Sequence, residues 1–207
     1  MADRPIIFSA PMVRALLDGR KTQTRRVLGN SGPGRGRSNI FSAQIGWSDS
    51  YVLDPGNANW RERDTPYAPG DRLWVREAFS YESLDVDRNG FMPPWYWADG
   101  NPESGDFTRP KPSIHMPRWA SRLTLLVTDV RVQRLQEISS ADAIAEGCPP
   151  YANSATIDCD TPNPRDDFKR LWNGIHGPDA WDANPWVAAI SFTVHRCNID
   201  TMEEGTW

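Results

Sequence analysis

Residues 123–135 read Leu-Thr-Leu-Leu-Val-Thr-Asp-Val-Arg-Val-Gln-Arg-Leu, the longest strand signal in the chain. Val, Thr and Leu pack well on a pleated surface. A run of this length with Asp129 at its centre predicts one bent strand, or two strands meeting as at a barrel corner.

Downstream, Ser139-Ser140-Ala141-Asp142 resembles a capping box with an acid in the first turn. It opens a short helix, Ala141 to Glu146, which Gly147 stops. A stronger helix covers Pro164–His176, where Phe168, Leu171, Trp172 and Ile175 recur at helical spacing. Pro185 to Val194 is a closing strand, and residues 198–207 form a frayed tail. Upstream, the turn Pro69-Gly70-Asp71 feeds Leu73–Phe79, which alternates as a half-buried strand does. Arg4–Ser9 reads as a short strand or extended arm. Ser9 then offers a cap, and Pro11 a first-turn proline, to a helix with Val13, Leu16 and Leu17 on one face. Gly19 closes that helix, and the basic run Arg20–Val27 alternates Thr with charge like a strand.

Three stretches break the periodicity, near 28–69, 80–118 and 148–163, and read as insertions in a single domain over 1–197. The second holds one short strand, Trp95–Ala98. Short strands separated by long loops predict an α+β fold, a small mixed β-barrel flanked by helices, over a doubly wound sheet. Neither GxGxxG nor GxxxxGK[ST] is present.

The 207 residues suit one domain with long insertions, and 39% are apolar. Mean hydropathy is −0.61, and no stretch approaches the roughly 18 unbroken apolar residues of a membrane helix. No membrane partner is expected. MADRPIIFSAP lacks a basic region followed by an apolar one, so no secretory signal is expected either. Cys148, Cys159 and Cys197 show neither CxxC nor Cys/His ligand spacing, which disfavours a disulfide framework or zinc module and points to a reducing cytoplasm. A net charge of −4 excludes nucleic-acid binding by bulk positive charge but leaves room for a local basic site. The chain is rich in Trp (10) and Pro (18). Tryptophan serves base stacking as well as the packing of irregular loops.

Chemistry concentrates after Gly19. On a strand, Thr22, Thr24 and Arg26 share a face, and Lys21 at the preceding turn can swing over it. A Thr hydroxyl needs a neighbouring base, and a partly desolvated lysine beside arginines has the lowered pKa to serve. The same run also reads as a solvated basic strand or a phosphate clamp. Glu77 is a candidate to be buried and paired with Arg25, Arg26 or Arg76. Glu146 ends a helix where the dipole disfavours a carboxylate. Trp74 and Trp97 are pocket-wall candidates. His115, His176 and His195 are scattered, and no metal site or cofactor is expected.

Gly19-Arg20-Lys21-Thr22-Gln23-Thr24-Arg25-Arg26 resembles the signature of the ASCH domain, a branch of the PUA-like superfamily. Pro69–Leu73 resembles that family's Gly-Asp turn, Val127–Leu135 its central strands, and Ile138–Gly147 its helix ending in Glu-Gly. The Phe168/Trp172 helix and Asn184–Val187 follow in order. The opening RPIIFSAPMVRA resembles a phage- and prophage-encoded subgroup. The resemblance implies a PUA-like barrel. One ASCH branch deacetylates N4-acetylcytidine with a Lys, a Thr and a Glu, which fall on Lys21, Thr24 and Glu146. Arg26 then helps hold substrate or oxyanion, with Arg25, Glu77, Trp74 and Trp97 as further substrate-binding candidates. That branch is about half as long as this chain.

The function expected is therefore recognition of RNA, a nucleotide or a modified nucleoside, with metal-independent amide hydrolysis of an N4-acylcytidine as its most concrete form. The alternatives are a non-catalytic RNA- or nucleotide-binding module, and a phage interaction protein whose insertions take a protein partner.

Overall fold

A computed structural model describes the protein over residues 1–28, 54, 56, 65–82, 94–148 and 163–202. In chain order the elements are β1 (Asp3–Ile7), α1 (Ala10–Leu17), β2 (Gln23–Val27), β3 (Arg72–Arg76), β4 (Phe79–Ser80), β5 (Trp95–Tyr96), β6 (Thr124–Arg134), α2 (Ser140–Ala145), α3 (Pro164–His176) and β7 (Trp186–His195). Five strands are hydrogen-bonded in the order β1-β3-β6-β7-β2, and β4 pairs with β5 separately. This is a mixed α/β arrangement. Among the described residues β1 and β2 end the strand order, so the small closed barrel expected from the sequence is not formed. The reason lies in β6. It is one continuous strand of 11 residues and not two, and its exposed Asp129 pairs with Arg131 at 3.5 Å. Its first four residues, Thr124–Val127, are all buried, and exposure begins at Thr128.

The described chain groups into two units, Met1–Arg20 with Gly70–Val127 and Phe192–Trp207, and Lys21–Pro69 with Thr128–Ser191. The sequence places one domain over 1–197; β6 and β7 each contribute residues to both units.

In the first unit β1 runs parallel to β3, from Asp3 opposite Arg72 to Ile7 opposite Arg76. β3 runs antiparallel to the start of β6, with Leu73 opposite Leu125. Ile6, Phe8, Val13, Leu16, Leu73, Val75, Leu123 and Leu125 are buried. Ser9 is the cap residue of α1 by position alone, since its side chain makes no capping bond. Gly19 closes the helix at φ 72°, a conformation that costs a residue bearing a Cβ about 1–2 kcal/mol. The expected strand Leu73–Phe79 ends at Arg76 and resumes as β4. Trp95–Ala98 is likewise split into β5 and a 3-10 turn, Trp97–Asp99, whose Ala98 carbonyl accepts from Arg14 Nη1 at 2.9 Å. The beginning of the expected frayed tail is packed: Ile199 is buried, and Asn198 Nδ2 donates to the carbonyls of Arg118 and Ser121 at 2.9 and 2.7 Å.

In the second unit β2 runs antiparallel to β7, from Gln23 opposite Ser191 to Val27 opposite Val187. α3 begins as its sequence dictates, with Asn163 accepting from Arg165 N, Pro164 in the first turn and Asp166 and Asp167 at the positive dipole end. Its Phe168 and Trp172 join Leu135, Ile138, Ala143, Cys148, Trp181 and Val187 in one core. Ser139 Oγ accepts from Asp142 N at 3.0 Å and caps α2. That helix stops at Ala145, leaving Glu146 as the C-cap residue with Gly147 at φ 85°. The insertions expected at 28–69 and 148–163 lie mostly outside the described residues. Among the described residues no helix is long and apolar enough to cross a membrane.

Leu73→Ala, which empties a fully buried site, is expected to destabilise by about 2–5 kcal/mol in urea unfolding. Ile114→Ala, at a side chain that is 57% exposed, is expected to stay within about 0.5 kcal/mol.

Candidate functional site

Directly after the Gly19 reversal, Lys21 makes an isolated antiparallel bridge with Glu146. Thr22 N donates to the Ala145 carbonyl at 2.8 Å. The backbone thus lays residues 21 and 22 against the C-terminal end of α2. Lys21 Nζ donates to Glu146 Oε2 and to the Glu146 carbonyl, both at 2.7 Å. One ammonium therefore satisfies an end-of-helix carbonyl, meets the negative end of the dipole and neutralises the carboxylate that the dipole disfavours. Both side chains are buried, Lys21 at 1% and Glu146 at 4% exposure, so each depends on the other for its charge.

Arg25, two residues along β2 from Gln23 and therefore on the same face, completes the cluster. Its Nη1 donates to Glu146 Oε1 at 3.2 Å and to Gln23 Oε1 at 2.7 Å. Its Nη2 donates to Asp142 Oδ2 at 3.0 Å. Asp142 also accepts from Arg131 Nη2 at 3.1 Å, and Gln23 Nε2 donates to Ser191 Oγ at 3.2 Å. The guanidinium lies 5.7 Å from the Phe168 ring centroid.

Burial pushes the Lys21 ammonium below its ordinary value of 10.5; the paired Glu146 opposes this and the Arg26 cation adds to it. Burial, with the Glu146 charge beside it, pushes the Cys148 thiol up to about 12. Cys148 thus stays protonated and unreactive at neutral pH. For Asp142, partial burial acts to raise the pKa, but the hydrogen bond and charge of Arg131 and the charge of Arg25 hold it below 3.8.

The cluster gathers three of the residues singled out in the sequence, Lys21, Arg25 and Glu146. Thr24 lies on β2 opposite Ile190 and is 3% exposed; among the described residues no hydrogen bond joins it to Lys21. Arg26 is half-buried and senses the charge of Glu146. Arg25, expected to touch substrate, is engaged by three protein side chains. Glu77, Trp74 and Trp97 belong to the first unit. Glu77 is buried, and its partner is Arg122, whose Nε and Nη2 donate to its two oxygens at 2.9 and 3.0 Å. The expected partners Arg25, Arg26 and Arg76 are replaced because Arg122 is held ready over the Tyr96 ring at 4.0 Å and by Asp99. Burial raises the Glu77 pKa above 4.5 against the Arg122 bonds. Trp74 lies under the Arg76 guanidinium at 5.2 Å, and Trp97 Nε1 donates to Ser80 Oγ at 2.8 Å. Sequence reasoning missed Asp142 as a site residue. Its signal was the spacing of four to Glu146, which puts both acids on one helix face.

No family model matches the chain. No curated protein matches it either. Among solved structures it is similar to protein EF3133 from Enterococcus faecalis V583, described under the family model DUF984, at 11% identity. The alignment covers 98% of this chain and 86% of that one with a TM-score of 0.40. A superposition of that quality does not establish a shared fold.

Breaking the buried pair from one side, by Lys21→Met or Glu146→Gln, is expected to cost about 3–5 kcal/mol in urea unfolding, and Lys21→Met/Glu146→Leu less than the sum of the separate losses. Asp142 binds its proton less tightly folded than unfolded. Its contribution is therefore complete above pH 3.8 and is lost as pH falls through the lowered folded value. Asp142→Asn is expected to flatten the acid limb of a stability–pH curve in that window.

Proposed function

We propose that the chain is an ASCH-type protein that works in the cytoplasm, recognises a modified nucleobase and hydrolyses the amide of an N4-acylated cytidine without a metal. The observation that carries this reading is the 2.7 Å contact between Lys21 Nζ and Glu146 Oε2, two buried residues 125 positions apart. They are the Lys and Glu that the sequence signature assigns to catalysis, and Thr24 lies three residues from Lys21 on the adjoining strand.

The chemistry needs no other reactant than water. With the proton of the pair shifted from Lys21 Nζ to the Glu146 carboxyl, the neutral amine of Lys21 takes the Thr24 Oγ proton as the oxygen bonds to the acyl carbon. The tetrahedral oxyanion faces the Arg26 guanidinium, which stabilises it as charge develops. Collapse breaks the bond from the acyl carbon to N4, Glu146 gives the departing amine the proton it had taken from Lys21, and the pair returns to ammonium and carboxylate. Cytidine leaves, and water hydrolyses the Thr24 ester, releasing the carboxylic acid and restoring the hydroxyl.

A second reading has an observation of its own. Nζ already donates to both the carboxylate and the carbonyl of Glu146, the pattern of a structural clasp in a binding module without catalysis.

Purified protein is expected to release cytidine from N4-acetylcytidine, followed by chromatography, with a loss of roughly 100-fold or more in Thr24→Ala and Glu146→Gln. Absence of turnover on a panel of N4-acylcytidines, or turnover that survives Thr24→Ala, overturns the hydrolase and leaves the binding module.

A further inference from the structure

We propose that Arg25, which lies outside the Lys-Thr-Glu set, is the positioning residue of this site: anchored by Asp142, it holds the Glu146 carboxylate with one oxygen turned to Lys21. Its catalytic consequence rests on the amidohydrolase reading; its geometry does not. The two carboxylate oxygens are divided between two cations, Oε1 accepting from Arg25 at 3.2 Å and Oε2 from Lys21 at 2.7 Å. Rotation about the last torsion of a glutamate is broad and roughly two-fold, so a single contact does not fix which way the carboxylate faces. The Arg25 fork supplies the second.

Arg25 is itself fixed. Its side chain is fully buried and is tied to Gln23 at 2.7 Å and to Asp142 at 3.0 Å. Asp142 is held from the other side by Arg131, and Gln23 by Ser191. The Phe168 ring lies beneath the guanidinium. Among the described residues Nε of Arg25 is buried without a hydrogen-bond partner, and its polar contacts are made by its two terminal nitrogens. A lysine presents a single point of charge and cannot reproduce that fork.

The test reads Lys21, which senses the charges of Glu146, Arg26 and Cys148 among the described residues. In protein labelled with 13C and 15N lysine, the Lys21 side chain is titrated in wild type, Arg25→Gln and Arg25→Lys, each checked for cooperative unfolding. Removing the Arg25 cation raises the Lys21 midpoint if only its field matters. Loss of the positioned carboxylate lowers it. The expected result is a fall of about one pH unit in both variants. Arg25→Lys keeps the charge and the greater part of the volume, so it provides the reading if Arg25→Gln does not fold. A rise or no change in the folded variants overturns the proposal.

Where wild type turns over N4-acetylcytidine, Arg25→Lys and Asp142→Asn are expected to lower kcat roughly 10- to 100-fold with KM within about twofold. Unchanged kcat overturns the catalytic part. A wild-type protein without turnover removes the amidohydrolase reading, and the Lys21 titration then decides the positioning role alone.

Discussion

A buried ammonium and a buried carboxylate, 2.7 Å apart, set the constraint on which the second unit depends. Neither charge is tolerable there without the other, because desolvation costs several kcal/mol per ion and only close pairing offsets it. The chain answers with local structure. The Gly19 reversal delivers Lys21, the C-cap position delivers Glu146, and the bridge between them aligns the entry to β2 with the end of α2. Arg25, Asp142 and Arg131 then carry the compensation outward, alternating in sign from the interior to the exposed surface.

The first unit solves the same problem differently. Glu77 gives both oxygens to the fork of Arg122, which also holds Asp99 at 2.7 Å. A guanidinium stays charged throughout the accessible pH range, so that pair is fixed in one state. The partner of Glu146 is a lysine, a cation that burial readily shifts toward neutrality. Of Glu77 and Glu146, only Glu146 faces a group able to exchange a proton under ordinary conditions, which is the physical ground for seeking chemistry in the second unit.

Much of this was legible in the sequence. The spacing of Phe168, Leu171, Trp172 and Ile175 marks α3 over its observed span, Pro164–His176, because periodicity is a local signal. The Lys21 and Glu146 candidates were legible as well, one from its place after a helix-closing glycine and the other from its unfavourable place at a helix end. What was not legible depended on partners far along the chain. Arg122 lies 45 residues from Glu77, and no local pattern selects it over Arg76, which is adjacent in sequence. Asp129 misled for a related reason: a charge in a strand signals a corner only if its side faces the core, and here that side faces solvent. Asp142 reads as a first-turn acid, which it is, but its second role appears only when Arg25 arrives from β2.

β6 and β7 belong in part to each unit, and the chain passes from one unit to the other after Arg20, Pro69, Val127 and Ser191. Two of those passages fall inside a strand, where a break severs a hydrogen-bonded ladder and not a linker. Neither unit is a contiguous stretch of gene, and any single segment that carries Lys21 and Glu146 together also carries Gly70–Val127 of the first unit. Fragments split within β6 would have to reassociate before the two charges could meet.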